Sequence, residues 1–440
     1  MWAAAIAVAP DMRAKALLAL PLIAVPLAWW ALLQPARPIL AFFVAALLLP
    51  PLPIPLGDAG PHPALAFAAL ALFCGMARWS EWHVSPSGLN RALAVLFFVL
   101  LASVAPAAWY SGAAAAAGSL ARVGLLGIAV YVYFYNAYGP ARESSASLGL
   151  LYSIAVLAAL FACVDFYFQF PPPAGYGAQF IWLDSGVYRR AQGLFYEAST
   201  LGNFCAFFLI MIAVALTRPP GESPVPRPAL AAGGVVFLAA LALSYSRGSV
   251  VNVLVGLAVL AWRNRRRAQL GWLAALATAG ALLTWTVFPA FVKAYWLRLS
   301  ASAEYLFSAT EGVLSGRIAS WGMLVDWMAA HPWQTCFGIG YKTLPYTDYL
   351  GAPVVADNMY LSLLVETGVV GLAALLWLHV AILRASARAI HASDSQRSFC
   401  GLWMLCFWAG EMAQMMSGDL LTYWRVLPVY FWVLALAVRV

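Results

Sequence analysis

Residues 356–372 read ADNMYLSLLVETGVVGL. Two short polar residues, Asp357 and Asn358, open directly onto an apolar run that continues to about Leu383. A run of that length is enough to cross a bilayer. The pair therefore marks the mouth of a membrane helix, with Asp357 just outside the hydrocarbon. An acid fixed there, beside a polar loop, is placed to act on a lipid-linked substrate. Asp and Asn also favour the N-cap of a helix, so Asp357 is read as a general base, as a cap, or as both.

The same grammar repeats outward along the chain. Of 440 residues, 64% are hydrophobic and 10% charged, and the mean hydropathy is +0.83. No soluble core hides that much apolar surface. Continuous apolar runs broken by short polar connections define an all-α, polytopic helical membrane protein of about 12–13 transmembrane helices. The period-two alternation of a membrane β-barrel is missing. Candidate spans are 16–34, 39–55, 63–78, 91–109, 118–138, 147–170, 198–217, 229–245, 248–262, 270–290, 357–383, 398–416 and 422–438. They form one integral membrane domain, 1–440. The opening MWAAAIAVAPDMRAK has no charged segment before its first apolar residues and no clear cleavage site, so it is expected to stay uncleaved.

The formal net charge of +8 comes mainly from Arg in short connections. That is the positive-inside pattern, and no nucleic-acid-binding motif accompanies it. Six Cys show no CxxC spacing, and five lie in or beside apolar runs, where they read as small hydrophobes. Placing Arg263–Arg267 and the loop of Arg384, Arg388 and Arg397 in the cytoplasm puts 291–356 outside. The same parity puts 171–197 and the break at 244–249 outside, and Arg78–Arg91, Arg142, Arg218–Arg227 and the C-terminus inside. Thirteen spans would leave Arg13 and Lys15 outside. A re-entrant or merged 39–55 segment gives twelve.

The two long external segments are more than turns. Residues 315–330, SGRIASWGMLVDWMAA, carry Ile318, Trp321, Leu324, Val325 and Met328 at helical spacing. This predicts an amphipathic helix at the membrane surface. The Gly, Pro and aromatic residues of 331–353 predict an ordered loop after it. Long ordered loops are commonly functional.

Several charged residues stand out beside Asp357. Glu366 lies nine residues further on, about 180° around the helix, so the two carboxylates do not form a pair. It is expected to hydrogen-bond a neighbouring helix. Arg247, in SYSRGS, interrupts an apolar stretch and suits a phosphate through its planar fork; a turn at the interface is the plainer alternative. Arg189 and Arg190, in VYRRAQG, are external against the usual charge bias. Arg317 and Lys342 fall in the other external loop. No Cys/His cluster, P-loop, GxSxG or HExxH is present, so no metal or cofactor is expected. Trp327, Trp333, Tyr341, Tyr346 and Tyr349 suit sugar stacking or a membrane-interface belt equally well.

With these residues assembled, the chain from about Tyr188 onward resembles the bacterial O-antigen ligase/polymerase superfamily. The resemblance rests on Arg190-Ala-Gln-Gly193, on Ser246-Arg247-Gly248, on Gly316-Arg317 with Trp321 and the following FGIGY (337–341), and above all on ADNMYLSLLVETGVVGL. In the lipopolysaccharide ligases the residue before the Asn is usually His; here it is Asp357. That departure leans toward the Wzy-type polymerase branch for exopolysaccharide, capsule or O-antigen.

The resemblance implies a metal-independent, inverting glycosyltransferase of the bacterial inner membrane, active on the periplasmic face. Undecaprenyl-pyrophosphate-linked glycans would be donor and acceptor, and a chain-length regulator and a flippase would be its partners. It implies Asp357 as catalytic base, with Arg190 and Arg247 on the donor pyrophosphate. Arg317, Asn358, Tyr341 and Lys342 complete the candidate substrate-binding set. The alternatives are an O-antigen ligase, delivering the glycan to lipid A core or protein, and a transporter or flippase of lipid-linked glycan. A transporter is expected to carry ionisable residues along several helices, whereas spans such as 91–109 and 270–290 carry almost none.

Overall fold

In the computed structural model the apolar runs are helices, and the structure describes residues 8, 11–53, 60–140, 145–173, 175–183, 186–263, 293, 296–297 and 317–439. The chain opens with α1 (Met12–Leu33), α2 (Arg37–Leu48), α3 (Ala64–Ala77), α4 (Gly88–Ala102), α5 (Val104–Tyr138) and α6 (Ser145–Phe168). After a hairpin, β1 (Phe180–Leu183) with β2 (Gly186–Arg189), come α7 (Ala198–Leu216), α8 (Arg227–Ser244) and α9 (Arg247–Arg263). Next are α10 (Arg317–Ala330) and α11 (Pro332–Phe337). Then follow α12 (Met359–Ala389), α13 (Ser395–Gln414) and α14 (Leu427–Val438). The expected span 270–290, Arg265–Arg267, Arg142 and Gly316 lie outside the described residues.

Among the described residues, five helical segments are long and apolar enough to cross a membrane: 88–138, 147–168, α7, α8 and α12. A sixth would be the pair Leu22–Leu33 and Arg37–Leu48, bent by 119° at the Gln34–Ala36 break. The bend falls just ahead of 39–55, the segment that the sequence leaves re-entrant or merged. The segment 88–138 folds back on itself. Tyr133 donates to Asn90 Oδ1 (2.8 Å), and the His83 amide donates to the Tyr138 carbonyl. The reversal falls at Ser103 and at Gly112, which has φ +86°, so the first expected span ends at Ala102 rather than 109.

Packing centres on α7, nearly every residue of which is buried. It lies against α8, α9 and α13, and α12 packs on α4 and α13, with α14 against α5 and α13. Helices pack pairwise with small residues at close approaches. Gly256 of α9 meets Ile210 and the Cys406 carbonyl, and Gly410 of α13 meets Asn252. A buried polar cluster crosses this core. Asn203 and Asn252 each donate to Glu411 Oε2 (2.6 and 2.9 Å) and to Gln414 Oε1 (2.9 and 3.0 Å). Tyr430 donates to Asn203 Oδ1 at 2.6 Å.

Basic residues gather at both ends of the bundle. At one end Arg218 donates to the Ser395 carbonyl and Ser398 Oγ, and Arg263 meets His391. The end of α12, with Arg384 and Arg388, adjoins His391 there. The opposite end gathers the 171–197 segment, the α8–α9 break, the start of α12 and the end of α13.

Candidate active site

Arg190 is fixed by its neighbours. Asp165, near the end of α6, pairs with Arg189 (2.6 Å) and accepts from the Gly193 amide (3.2 Å). Both ends of Arg189–Gly193 are thereby pinned to one carboxylate. Gly193 has φ +55°, and an added Cβ would lie 2.8 Å from Ala162 Cβ, so this position of the Arg-x-x-Gly motif needs glycine. Arg189 is buried and structural. Arg190, half-buried, donates from Nε to the Ser244 carbonyl at 2.7 Å, and the Ala191 amide donates to Leu243 (3.0 Å). The 171–197 loop is therefore stitched to the last turn of α8.

Arg247 is the first residue of α9, three residues past that contact. Tyr245 ends α8 in the left-handed region (φ 50°). Ser246 and Ser249 share a 2.7 Å hydroxyl contact, and Gln414 donates to Ser249 (3.0 Å), so the buried polar cluster reaches the Arg247 turn. Arg190 and Arg247, distant in sequence, thus stand on adjoining backbone. The positive end of the α9 helix dipole lies at the same turn and favours an anion.

Asp357 faces a different cation. Arg317, at the start of α10, donates from Nε and Nη2 to Asp357 Oδ2, both at 3.1 Å. The helix cap is Asn358: its Oδ1 accepts from the Tyr360 and Leu361 amides (3.0 and 3.1 Å). Asp357 is therefore not the cap. It has φ 46°, a conformation that L-residues adopt at some cost. Trp321 Nε1 donates to the Ala356 carbonyl (2.6 Å), holding the same corner.

The amphipathic helix is present as α10, with its faces more divided than its spacing suggests. Leu324 and Met328 pack into a small core with Ile339, Leu344, Val354, Ala356 and Val365, whereas Ile318 and Val325 lie on the open side. The FGIGY strip then threads between helices. Gly340 (φ +119°) passes the backbone of Ala107, and Gly338 passes Glu366. The Ile339 and Gly340 amides donate to the Val365 and Glu366 carbonyls (3.2 and 2.7 Å), next to a break in α12 at Gly368. Glu366 is buried, and its carboxylate accepts from the backbone amides of Lys342 and Leu344. Its partner is this loop rather than a neighbouring helix.

Tyr341 is 1% exposed, with its amide donating to Ser103 Oγ (3.2 Å). In this conformation it supports the loop and offers no face to a substrate. Lys342 is also buried, in an ion pair with Asp419. Burial pushes its ammonium down to about 8; Glu366 and Glu197 oppose this and Arg122 adds to it. The 415–419 segment links the two halves of the site: Ser417 packs on Gly248, and Asp419 holds Lys342.

Two cations escaped the sequence reading. Arg122, inside the α5 span, donates to Tyr346 OH at 2.7 Å and lies 4.8 Å over that ring. A lone charge in an apolar run was the available signal. Arg425 is buried and donates to the carbonyls of Ala46 (2.7 Å), Leu49 (3.0 Å) and Leu194 and to Tyr176 OH (2.8 Å), so it ties α2 to the 171–197 loop. Among the described residues, no three His, Cys, Asp or Glu side chains gather to hold a metal ion.

The chain is an all-α polytopic membrane protein with a cation-rich polar site at one end of its bundle. Residues 232–376 match the profile of the O-antigen ligase family. The matched segment holds Arg247, Arg317, Tyr341, Lys342, Asp357 and Asn358, and stops short of Arg190. It supports a place in the O-antigen ligase superfamily and a glycosyltransferase-like membrane enzyme. No curated protein matches the chain.

Proposed function

We propose that the protein is a metal-independent, inverting glycosyltransferase that polymerises undecaprenyl-pyrophosphate-linked repeat units on the periplasmic face of the bacterial inner membrane. The observation that carries this reading is the pairing of two cation sites at one end of the bundle: Arg190 against the Arg247 turn, and Arg317 on Asp357. The opposite end holds Arg218, Arg263, Arg384 and Arg388, which supports placing it in the cytoplasm.

Arg190 and Arg247 hold the donor diphosphate and stabilise the charge that develops on it. The acceptor hydroxyl reaches Asp357, whose Oδ1 carries no bond to Arg317. Asp357 takes the hydroxyl proton, the hydroxyl oxygen bonds to the anomeric carbon, and the bond from that carbon to the diphosphate oxygen breaks. Undecaprenyl pyrophosphate leaves with the electron pair, and one displacement inverts the centre. Arg317 orients the carboxylate, which must loosen that contact to act as a base.

The test is complementation of a strain lacking this protein, scoring polymer length and the lipid-linked repeat pool for wild type, Asp357→Ala and Arg247→Ala. Accumulated single repeats with both variants inactive at normal membrane levels support the polymerase. Long polymer that forms on its carrier but is not transferred onward favours the second reading, an O-antigen ligase, with which the family match is equally compatible. Two fully active variants would sink both.

A further inference from the structure

At the C-terminal end of α10 lies an aromatic group with polar edges. Trp327 and His331, one turn apart on α10 and just beyond it, stack at 4.6 Å and 16°. Tyr349 stands against both, 6.0 and 6.5 Å away, and its hydroxyl accepts from Gln334 Nε2 at 3.1 Å. Tyr346 lies nearby in the chain, 55% exposed, with one ring face covered by the Arg122 guanidinium and its hydroxyl bonded to Arg122. Tyr349 is itself 39% exposed.

A pair of aromatics on α11 makes the contrast. Trp333 and Phe337 are 69% and 56% exposed, and they meet each other edge to face at 5.0 Å. Neither ring is rimmed by polar partners among the described residues. Such a pair suits lipid. Tyr349 also packs on Tyr110 at 4.8 Å, so Tyr346, Tyr349 and Trp327 are partly covered rings that keep exposed surface beside polar partners at their edges, Arg122 and Gln334. That combination matches a pyranose, whose C–H face is apolar and whose hydroxyl rim is polar.

We propose that Tyr346, Tyr349, Trp327, His331 and Gln334 form a carbohydrate-binding platform for the non-reacting sugars of the acceptor glycan. The proposal rests on the glycan-transfer reading and names the substrate part that the platform holds. Its position fits that role. Trp327 lies ten residues along α10 from Arg317, about 15 Å at the helical rise, a length of a few sugar rings. A glycan lying on the platform would bring its terminal hydroxyl toward the Arg317–Asp357 corner.

The test uses the full-length protein in lipid nanodiscs. The probe is lipid-free oligosaccharide released by partial acid hydrolysis from the producing strain's own surface polysaccharide. Calorimetric titration is expected to show saturable binding. Tyr346→Ala and Tyr349→Ala should each weaken it about tenfold, Tyr346→Phe should keep most of it, and Trp333→Ala should change nothing. Asp357→Asn should bind like wild type while its transfer falls by about 10²–10⁴-fold. The platform is overturned if wild type does not bind, if both Tyr→Ala variants bind like wild type, or if Trp333→Ala weakens binding instead. Failure of the transfer reading has a different signature: intact, Tyr-dependent binding with no transfer from any lipid-linked donor.

Discussion

Arg317 grips Asp357 through two N–H donors on a single carboxylate oxygen, Oδ2, both at 3.1 Å. The start of α10 is thereby latched to the chain just before α12. The contact is partly solvated, with Asp357 about half exposed. An ion pair of this kind contributes little to stability, roughly 0–1 kcal/mol. Its value is geometric. Asp357→Asn is therefore expected to leave the unfolding temperature nearly unchanged and to lower transfer by about 10²–10⁴-fold, the usual worth of a general base. Arg317→Ala should also lower transfer, and the double variant should lose no more than Asp357→Asn alone. Additive losses in that cycle would show that the two residues act separately.

Asn358 invites the opposite result. Its side-chain oxygen is occupied by the first amides of α12, so capping is its visible work. Asn358→Ala should cost about 1 kcal/mol and lower transfer modestly. Asn358→Ser, which keeps a capping oxygen, should restore both. If the Ser variant is stable but inactive, the Asn358 amide binds substrate directly.

Much of this arrangement was legible because membrane helices announce themselves by composition. The apolar runs at 147–170, 198–217 and 229–245 became α6, α7 and α8 almost to the residue, since a bilayer sets their length. The polar breaks were legible for the same reason: Asp357, Arg190 and Arg247 stand where apolar runs stop, and those stops share one end. What stayed hidden depends on partners distant in the chain. Nothing in the sequence tells that Glu366 meets the amides of Lys342 and Leu344, that Tyr341 turns inward, or that Asn203, Asn252 and Glu411 converge. Glu366 and Glu411 each left a trace, as a carboxylate within an apolar run, but not the identity of its partners. The assignment of the cap to Asn358 rather than Asp357 turns on one residue of backbone geometry, which composition does not encode.

The neighbouring arginines 189 and 190 should separate cleanly. Arg189 is buried against Asp165, so Arg189→Ala leaves an unpaired carboxylate in the core, and loss of one partner of a buried pair costs roughly 3–5 kcal/mol. The expected outcome is low membrane abundance or a large drop in the unfolding temperature. Arg190→Ala removes a bond to the Ser244 carbonyl, which lies at a helix end, and leaves no buried carboxylate without its cation. It should fold normally and show its effect as weaker use of the lipid-linked donor, with Arg190→Lys recovering part of it. Thermal unfolding in detergent, followed by donor titration, distinguishes the two. Equal destabilisation by both would make Arg190 structural as well.

Lys342 supplies the pH dependence. Its ammonium is buried, ion-paired with Asp419, and faced by Glu366 from α12, Arg122 from α5 and Glu197 from the 171–197 segment. Burial lowers its pKa from the usual 10.5 to about 8. As pH rises through about 8, the folded protein loses this proton while the unfolded chain keeps it up to about 10.5. The unfolded state then binds more protons, so across this window Lys342's own contribution to stability becomes more favourable as pH rises. The charge that pairs with Asp419 disappears in the same window. Transfer should therefore decline above pH 8 while the protein remains folded. Lys342→Arg, which keeps its charge, should move that decline to higher pH. A wild-type profile flat from pH 7 to 10, or one that Lys342→Arg leaves unchanged, would show that the Lys342–Asp419 pair does not hold the site together.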